Sequence, residues 1–415
     1  MDENVSVEKL LKVIRMISQI MLESGAEAYR IEGTCDFICR SYGISEVDSI
    51  ATPTGIYITI SPPNKGNRTV ISRIKNRSID LSKLNDVNSI SRLITSKQIT
   101  LDEAINRLND LKNNINIEKR PFYFIYEGIA AAFFTLLFRG GFIEFILALL
   151  TGIIVQYNTS KLKNLDSHQF FIGFFGAAII SSIAILTTHF LKMGDYNKVI
   201  VGGIMPLLPG LSMTNAIRDT MRGDLVSGVV RAAEAILVAT SLAAGAGVII
   251  SIAYSLGLLI WKEVNFMIID LICSFIATWF FALVMNAPKK SLFFSSLIAS
   301  MGYFVYSVCL NLNQQLIGFF LGTLIISLLG ELCARKIKMP ATIFIFPAVV
   351  PIVPGLGLYQ MMLEFVQNDI YEALLIGVKT LLNIGAMAIA IALVSLILTK
   401  APNKIYGSFK IKSDK

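Results

Sequence analysis

Two related stretches decide the fold: PLLPGL at residues 206–211 and PIVPGL at residues 351–356, which are 145 positions apart. Each stretch lies inside an uncharged apolar segment that is long enough to cross a membrane. Proline lacks a backbone N–H and its ring clashes with the carbonyl four residues earlier, so two prolines and a glycine in one turn break a helix. A bilayer tolerates the freed backbone groups only against protein or trapped water. The pattern therefore predicts a duplicated transporter with one interrupted helix in each half.

The composition excludes an ordinary soluble protein of 415 residues, because 54% of the chain is hydrophobic and only 16% is Asp, Glu, Lys or Arg. Uncharged stretches and the polar residues between them predict ten transmembrane helices. These lie near 122–138, 142–158, 169–190, 199–217, 225–258, 266–286, 291–310, 316–334, 341–363 and 370–399.

The predicted helices form two sets of five. A shift of 145 residues carries each helix of the first set onto one of the second without insertion or deletion. Because five is an odd number, the two halves must enter the membrane from opposite sides, which makes an inverted-topology repeat. With the N-terminus inside, the inner loops hold most of the basic loop residues, and this agrees with the positive-inside tendency. They are Lys161, Lys163, Arg218, Arg222, Lys289, Lys290, Arg335, Lys336 and Lys338.

We predict four segments: a small α+β cytoplasmic domain at 1–120, five-helix repeats at 121–261 and 262–400, and a basic cytoplasmic tail at 401–415. The chain begins Met1-Asp2-Glu3, without the basic region of a signal peptide, so the transmembrane helices themselves are expected to direct insertion. Basic cytoplasmic loops and the tail explain the net charge of +8, and nucleic acid is not an expected partner.

Two polar motifs in the N-terminal domain are candidate anion sites. SGAEAYR at 24–30 places polar groups at a helix N-terminus, and TPTG at 52–55 is a polar turn before a strand. From the residues alone a structural role is the preferred interpretation of both motifs, since Glu27 complements the helix dipole and Gly55 supplies a turn. The candidate residues are Gly25, Glu27, Tyr29, Arg30, Thr52, Pro53, Thr54 and Gly55.

No cofactor or metal is predicted. The sequence has no phosphate loop that would support ATP-driven transport. Cys35 and Cys39 share a helix face, but no neighbouring Cys or His completes a metal site, so the cysteines are interpreted as packing thiols.

The 24–30 and 52–56 motifs, together with the two PxxPG stretches, resemble the bacterial threonine/serine exporter family. The resemblance covers nearly the whole chain, although Ala28 stands where family members often have valine. In that family the halves occur fused or as two paired proteins, one of which is similar to a succinate export system. The resemblance implies export of small hydroxy amino acids or dicarboxylates, coupled to the proton motive force.

Both helix breaks are expected near the middle of the membrane, where two inverted half-helices present free carbonyls and helix ends to a shared cavity. A zwitterion needs this combination, because helix N-termini attract its carboxylate and carbonyls accept from its ammonium group. The alternative is a pair of packing kinks, and helix-helix adhesion would explain the two asparagines. The substrate-binding candidates are Pro206, Pro209, Gly210, Asn215, Pro351, Pro354, Gly355 and Asn383.

Ionisable residues within membrane helices are costly unless they are paired or hydrated, so they are candidates for coupling. Glu234 and Lys379 are related by the 145-residue shift and could form an ion pair near mid-membrane. Alternatively, Glu234 lies at the cytoplasmic boundary and pairs with Arg231.

These patterns predict a secondary active exporter of threonine and serine in the bacterial inner membrane, with protons as the coupling ion and both termini cytoplasmic. A dicarboxylate exporter for substrates such as succinate and a solute channel gated by the N-terminal domain are the alternatives. An enzyme is the weakest hypothesis, since two histidines leave little for an active site. A homo-oligomer is compatible with the sequence.

Overall fold

The structure, a computed structural model, describes residues 6–63, 66–74, 77–113, 122–164, 169–258, 269–355 and 369–400, and also Gly357, Gln360, Met361 and Glu364. The predicted tail at 401–415, residues 114–121 and most of 356–368, which belongs to the ninth predicted helix, lie outside the described residues.

The N-terminal part consists of four helices and a three-stranded antiparallel sheet. Its helices are α1 (Val7–Glu23), α2 (Ala28–Ser41), α3 (Leu81–Thr95) and α4 (Leu101–Asn113), and its strands are β1 (Val47–Thr52), β2 (Gly55–Ile60) and β3 (Arg68–Arg73). The strand order is β1-β2-β3, with Val47 opposite Ile60 and Gly55 opposite Arg73.

A single apolar core holds these elements together. The residues of α1 that recur at helical spacing are buried, and so are the alternating isoleucines of β2. Side chains cap three of the helices. Ser6 accepts from Lys9 N before α1, Asp80 accepts from Lys83 N before α3, and Thr100 accepts from Glu103 N before α4. The buried residues are Leu10, Val13, Ile14, Ile17, Met21, Ile56, Ile58 and Ile60.

The remaining helices fall into two series. The first is α5 (Tyr123–Leu137), α6 (Phe142–Asn164), α7 (Gln169–Leu191), α8 (Tyr196–Ile204), a 3₁₀ turn (Met205–Leu207), α9 (Gly210–Met221) and α10 (Leu225–Ser255). The second is α11 (Ile269–Val284), α12 (Lys289–Asn311), α13 (Gln315–Ile337), α14 (Thr342–Val349), a 3₁₀ turn (Val350–Ile352) and α15 (Ile370–Lys400).

The 145-residue offset extends to the boundaries of the described elements. Shifted by 145 positions, each described element of the first series that has a described counterpart begins and ends within two residues of it. The two 3₁₀ turns coincide, as do α10 and α15. The interrupted helix of the first series is longer than predicted: it begins at 196 and ends at 221, not at 199 and 217.

Six of the described helices are long and apolar enough to cross a membrane: α6, α7, α10, α12, α13 and α15. A seventh span results if α8 and α9, which form a bent pair, count as one. Three shorter apolar helices are also present, at Tyr123–Leu137, Asp270–Val284 and Thr342–Ile352. By length and composition, the chain is a polytopic α-helical membrane protein.

Close helix approach depends on glycine where α8 crosses α5. A Cβ atom built on Gly202 would lie 2.6 Å from both the Cα and the N of Thr135, which are backbone atoms that cannot rotate away. This crossing packs α8 tightly against its neighbour immediately before the helix break.

Candidate functional site

The first helix break follows directly from its prolines. The 3₁₀ turn after α8 has Pro206 near its start, Leu208 is extended with ψ 139°, and Pro209 precedes the first residue of α9. Leu208 N donates to Met205 O at 3.2 Å, and the chain bends by 50° between the two helices. Since the α-helical hydrogen-bond ladder stops here, backbone groups of this turn are available to a ligand.

The second break has the same construction. After the 3₁₀ turn that contains Pro351, Val353 is extended with ψ 128°, and its N–H donates to Val349 O and Val350 O, both at 3.2 Å. Pro351, Pro354 and Gly355 are buried, whereas the equivalent residues of the first break are half-buried.

The two breaks contact each other. A Cβ atom on Gly210 would lie 3.1 Å from Val353 Cγ1, and a Cβ atom on Gly355 would overlap Leu208 Cδ1. The 145-residue shift turns Gly210 into Gly355 and Leu208 into Val353, so it exchanges the two contacts. The structure therefore brings the two predicted PxxPG segments face to face, with a glycine of each against a branched side chain of the other.

The two asparagines that were predicted to bind substrate lie on helices that pack together. Asn215 on α9 is 4% exposed and Asn383 on α15 is 8% exposed. Their helices meet in a small apolar cluster that contains Met213 and Ile384. Asn215 Oδ1 is buried and accepts no hydrogen bond from the described residues, so it could accept one from a hydroxyl or ammonium group.

The acid of the 24–30 motif faces the end of α9. Glu27 has no exposed surface, and Arg218 Nη1 donates to its Oε1 at 2.6 Å. Arg30 Nη1 lies 3.7 Å from Glu27 Oε2 and donates to Thr342 Oγ1 at 3.0 Å. Gly25 has φ +91°, a conformation that favours glycine, and it connects α1 to this segment.

Tyr29 lies in the same junction. The guanidinium carbon of Arg222 is 4.0 Å from the centre of its ring. Burial raises the pKa of the Tyr29 hydroxyl, and the charge of Glu27 raises it further. The phenol is therefore neutral at physiological pH and serves as a packing and stacking surface.

The 52–55 turn lies beside the first turn of α10. Thr52 Oγ1 donates to Gly55 O at 3.0 Å within the turn, and Ile74 N donates to Thr54 O at 3.0 Å. Pro53 is buried and Thr54 is exposed. One residue earlier, Ala51 O accepts from Ser227 Oγ of α10 at 2.9 Å. The turn thus holds strand β1 against a membrane helix.

The ion pairs of the coupling candidates differ from those predicted. Arg231 Nε lies 3.1 Å from Asp219 Oδ2, and its Nη2 donates to Ala26 O at 2.9 Å, so Arg231 is not the partner of Glu234. Glu234 pairs with Arg77 of the N-terminal part, and its side chain is 40% exposed. Lys379 is exposed, and Glu234 does not reach it. The reason is that Glu234 lies in the third turn of α10, where the N-terminal domain supplies the nearest cation.

Sequence reasoning missed Asp219. It is buried at the end of α9 beside Arg231, but in the sequence it is one acid in a short charged stretch from 218 to 224. Only Arg218 and Arg222 in that stretch informed the topology, so the acid between them was not singled out.

The N-terminal part also contacts the ends of helices from the second series. Leu81 N donates to Met285 O at 3.2 Å, and Asn286 Nδ2 donates to Asp80 Oδ1 at 2.7 Å. Arg92 Nη1 donates to Lys338 O at 3.3 Å. The domain therefore touches the ends of α9, α10, α11, α13 and α14.

Within the described part of the chain, no three His, Cys, Asp or Glu residues form a group that could hold a metal ion. Burial raises the pKa of the Cys35 thiol to about 11 and that of Cys39 to about 12. These thiols remain protonated at neutral pH, as expected of packing residues.

Comparison with known proteins agrees with this architecture. The ThrE model of threonine/serine exporters matches residues 12–253, more than half of the chain. The chain belongs to the threonine/serine exporter family. A second model, described as "Threonine/Serine exporter, ThrE", matches residues 270–397. The boundary between the two models falls between α10 and α11.

Several relatives of this exporter family member are similar over long alignments. A "Probable threonine/serine exporter" of Mycobacterium tuberculosis is 21% identical, covering 94% of this chain and 75% of that protein. A "Threonine/serine exporter" of Corynebacterium glutamicum is 22% identical, covering 95% of this chain and 81% of that protein. A "Probable succinate transporter subunit" of Klebsiella aerogenes is 23% identical over 52% of this chain and 83% of its own length. No solved structure matches.

Proposed function

We propose that this protein is a secondary active exporter of threonine and serine, driven by the proton motive force, in the bacterial inner membrane. The observation that carries the proposal is the contact between the two helix breaks, Gly210 against Val353 and Gly355 against Leu208. Full-length relatives that bear the names of threonine/serine exporters support the substrate class.

In this proposal ten membrane helices form two inverted five-helix repeats, at 121–261 and 262–400, after a cytoplasmic domain at 1–120 and before a basic tail at 401–415. The six long spans, the bent pair α8 and α9, and the three shorter apolar helices would supply the ten crossings of this arrangement.

Three contacts support the inversion. The N-terminal domain bonds Arg218, at the end of the first interrupted helix, and Thr342, at the start of its counterpart. Equivalent helices whose opposite ends meet the same domain run in opposite directions. Likewise, Arg222, just before α10, donates to Ser395, near the end of α15, at 2.5 Å. The start of α10 thus lies beside the end of its equivalent helix α15, as in an antiparallel pair.

The same geometry explains why Glu234 and Lys379 are apart. Each is the tenth residue of a helix of 31 residues. In antiparallel helices with level ends, such positions are about 18 Å apart along the membrane normal at 1.5 Å per residue. Equivalent positions of an inverted repeat meet only at mid-depth, as the two breaks do.

The side of the membrane follows from charge. The helix ends that meet the N-terminal domain are also those beside Arg218, Arg222, Lys289, Lys290 and Lys338. Since positive residues favour the cytoplasmic side of short loops, the domain and both termini are cytoplasmic.

The chemistry at the breaks favours a zwitterion over a dicarboxylate. The residues there are prolines, glycines and apolar side chains, with the amide of Asn215 one turn further along α9 and that of Gln360 at the equivalent position of the second half. A dianion requires cationic partners, which these segments lack. A zwitterion is satisfied by partial charges, because the N-terminus of α9 attracts its carboxylate and freed carbonyls accept from its ammonium group.

Transport then requires alternating access around the paired breaks, with the two repeats rocking against each other. The breaks are the natural pivot because the hydrogen-bond ladder is already interrupted there, so a change in angle between the half-helices breaks few further bonds.

The experiment that tests the proposal is flux of radiolabelled threonine, serine and succinate in proteoliposomes, with and without an imposed pH gradient. Uphill movement of threonine and serine that a protonophore abolishes is the expected result. Movement that only follows the solute gradient would identify a channel. Succinate flux in the absence of threonine flux would identify a dicarboxylate exporter. Liposomes without protein are the control for leakage.

A further inference from the structure

Four charged side chains are buried together where the N-terminal domain meets the base of α9. Glu27 and Asp219 have no exposed surface, and Arg218 and Arg231 are each 6% exposed. The two fully buried acids balance the two buried guanidiniums in charge, and the half-buried Arg30 adds a third guanidinium 3.7 Å from Glu27 Oε2. Removing four charges from water is costly even when they are paired, so attachment of the domain alone does not account for the cluster.

The hydrogen bonds of this cluster are incomplete. Neither oxygen of Asp219 accepts a hydrogen bond from the described residues, and neither does Glu27 Oε2. Arg231 Nε lies 3.1 Å from Asp219 Oδ2 but in a geometry that makes no hydrogen bond. Buried polar networks that hold a structure together are normally satisfied at each member. Three spare carboxylate oxygens match a ligand that brings several N–H donors.

We propose that this cluster is the cytoplasmic entry site for a zwitterionic amino acid, an inference that rests on the proposed export function. The ammonium group of the substrate replaces the guanidiniums beside Asp219 and Glu27, while its carboxylate pairs with Arg218 and Arg231. Each internal ion pair is thereby exchanged for one with the substrate, and the N-terminal domain separates from α9.

The position of the cluster suits this role. Asp219 is nine residues beyond Gly210 on the same helix, which is about 14 Å at helical rise. A change at the cluster therefore acts on the half-helix that begins at the first break. The class of ligand also follows, because a dicarboxylate would pair with the arginines but offers no donor to the three acceptor oxygens.

The first test measures opening directly. Ser227 is buried, and its hydroxyl donates to Ala51 O across the junction, so Ser227→Cys in the full chain reports separation of the domain from α10. Inside-out vesicles are treated with a membrane-impermeant maleimide, with the wild-type chain as background for the native cysteines. Threonine should accelerate labelling several-fold, whereas succinate and 2,3-dihydroxybutyrate, in which a hydroxyl replaces the ammonium group, should not.

The second test measures substrate affinity from the cytoplasmic side. Asp219→Asn should raise the KM for threonine roughly tenfold, with a smaller change in kcat, because a charge-assisted contact with the ammonium group is lost. Asp219→Glu keeps the carboxylate and should therefore restore most of the affinity for threonine. A purely structural role of Asp219 does not require that recovery. Asp102→Asn is the matched control, since Asp102 forms an exposed pair with Lys9.

Labelling that threonine leaves unchanged, or that dihydroxybutyrate increases equally, would overturn the entry site, as would an unaltered KM in Asp219→Asn. If instead the wild-type protein carries succinate but no threonine, the export proposal itself fails. Failure of the export proposal is measured by flux through the wild-type protein, whereas failure of the entry site is measured by labelling and by the KM of the variants, so the two can be distinguished.

Discussion

In the first half of the membrane part, the interrupted helix ends with Arg218, Asp219 and Arg222; at the equivalent positions the second half has Leu363, Glu364 and Gln367. Arg231 in the first half corresponds to Ile376 in the second. The helices, the breaks and an acid at 219 and 364 are therefore duplicated, but the arginines are not. The arginines belong to the half whose interrupted helix ends against the N-terminal domain.

This difference separates two requirements of a duplicated transporter. A symmetric arrangement of the two halves needs only helices of equal length with breaks at equal positions, which apolar residues, prolines and glycines supply. Regulation by a domain on one side of the membrane needs residues that occur in only one half. In this protein those residues are two buried arginines. Arg218 pairs with Glu27 of the N-terminal domain, and Arg231 pairs with Asp219 and donates to Ala26 O. At the position of Arg231, α15 has Ile376.

The largest effect is expected from breaking a buried pair in the charged half. Arg218→Met leaves Glu27 buried beside Arg30 alone, and loss of one partner of a buried ion pair costs about 3–5 kcal/mol. The melting temperature of the detergent-solubilised protein measures this loss. Arg40→Met is the control, because its pair with Asp36 is exposed. Equal melting temperatures for the two variants would contradict a structural role of the junction.

The next largest effect concerns helix packing that the halves do not share. Gly202 corresponds to Pro347, so the first half has no side chain where the second has a ring. Gly202→Ala should destabilise the protein by about 1–3 kcal/mol, because the added Cβ meets the backbone of Thr135. Gly385→Ala should be tolerated in the same melting experiment, since no atom lies within 4 Å of its added Cβ. A tolerated Gly202→Ala would mean that α5 and α8 cross at a greater distance.

The two breaks are compared by removing one proline from each. Pro209→Ala and Pro354→Ala should lower threonine flux on the order of tenfold while leaving membrane insertion intact, since a tenfold rate change needs only about 1.4 kcal/mol in the barrier. Pro354→Ala should be the more severe, because Pro354 is buried whereas Pro209 is half-buried. Pro288→Ala, before α12 and away from both breaks, is the control. Normal flux in both variants would remove the breaks from the mechanism.

The smallest effect is expected for the pair between Arg77 and Glu234. It is partly exposed, and such pairs contribute about 0–1 kcal/mol. A double-mutant cycle with Arg77→Gln and Glu234→Gln should give a coupling energy within that range. Exchanging Glu234 and Lys379 should perform no better than either single change. Rescue of transport by that exchange would show that the two charges meet in another state of the protein.

The elements of the fold could be predicted because they depend on local patterns. The spacing of apolar residues in α1, the prolines at 206, 209, 351 and 354, and the uncharged stretches each determine structure within a few turns of the chain. The 145-residue offset then related the two halves without knowledge of any contact. The first interrupted helix begins at 196 and not at 199, because Asp195 caps a helix that the hydropathy pattern begins later.

The ion pairs could not be predicted in the same way. Glu27 and Arg218 are 191 positions apart, and Arg77 and Glu234 are 157 apart. Such pairs depend on how one folded unit sits on another, which periodicity does not specify. The 145-residue shift suggested an ion pair between Glu234 and Lys379. The shift relates the helices of the two halves, but it does not describe the N-terminal domain, which supplies the actual partner of Glu234.

The bonds from the N-terminal domain to Asn286, Lys338 and Thr342 carry a consequence for assembly. If the polypeptide were cut between α10 and α11, the front fragment would still hold a surface that recognises two connections of the back fragment, α11–α12 and α13–α14. Two separately encoded chains could then find each other in the bilayer and dock in register. The same small domain that contacts the end of α9 would thus mediate recognition between the two subunits of a two-chain version of this exporter.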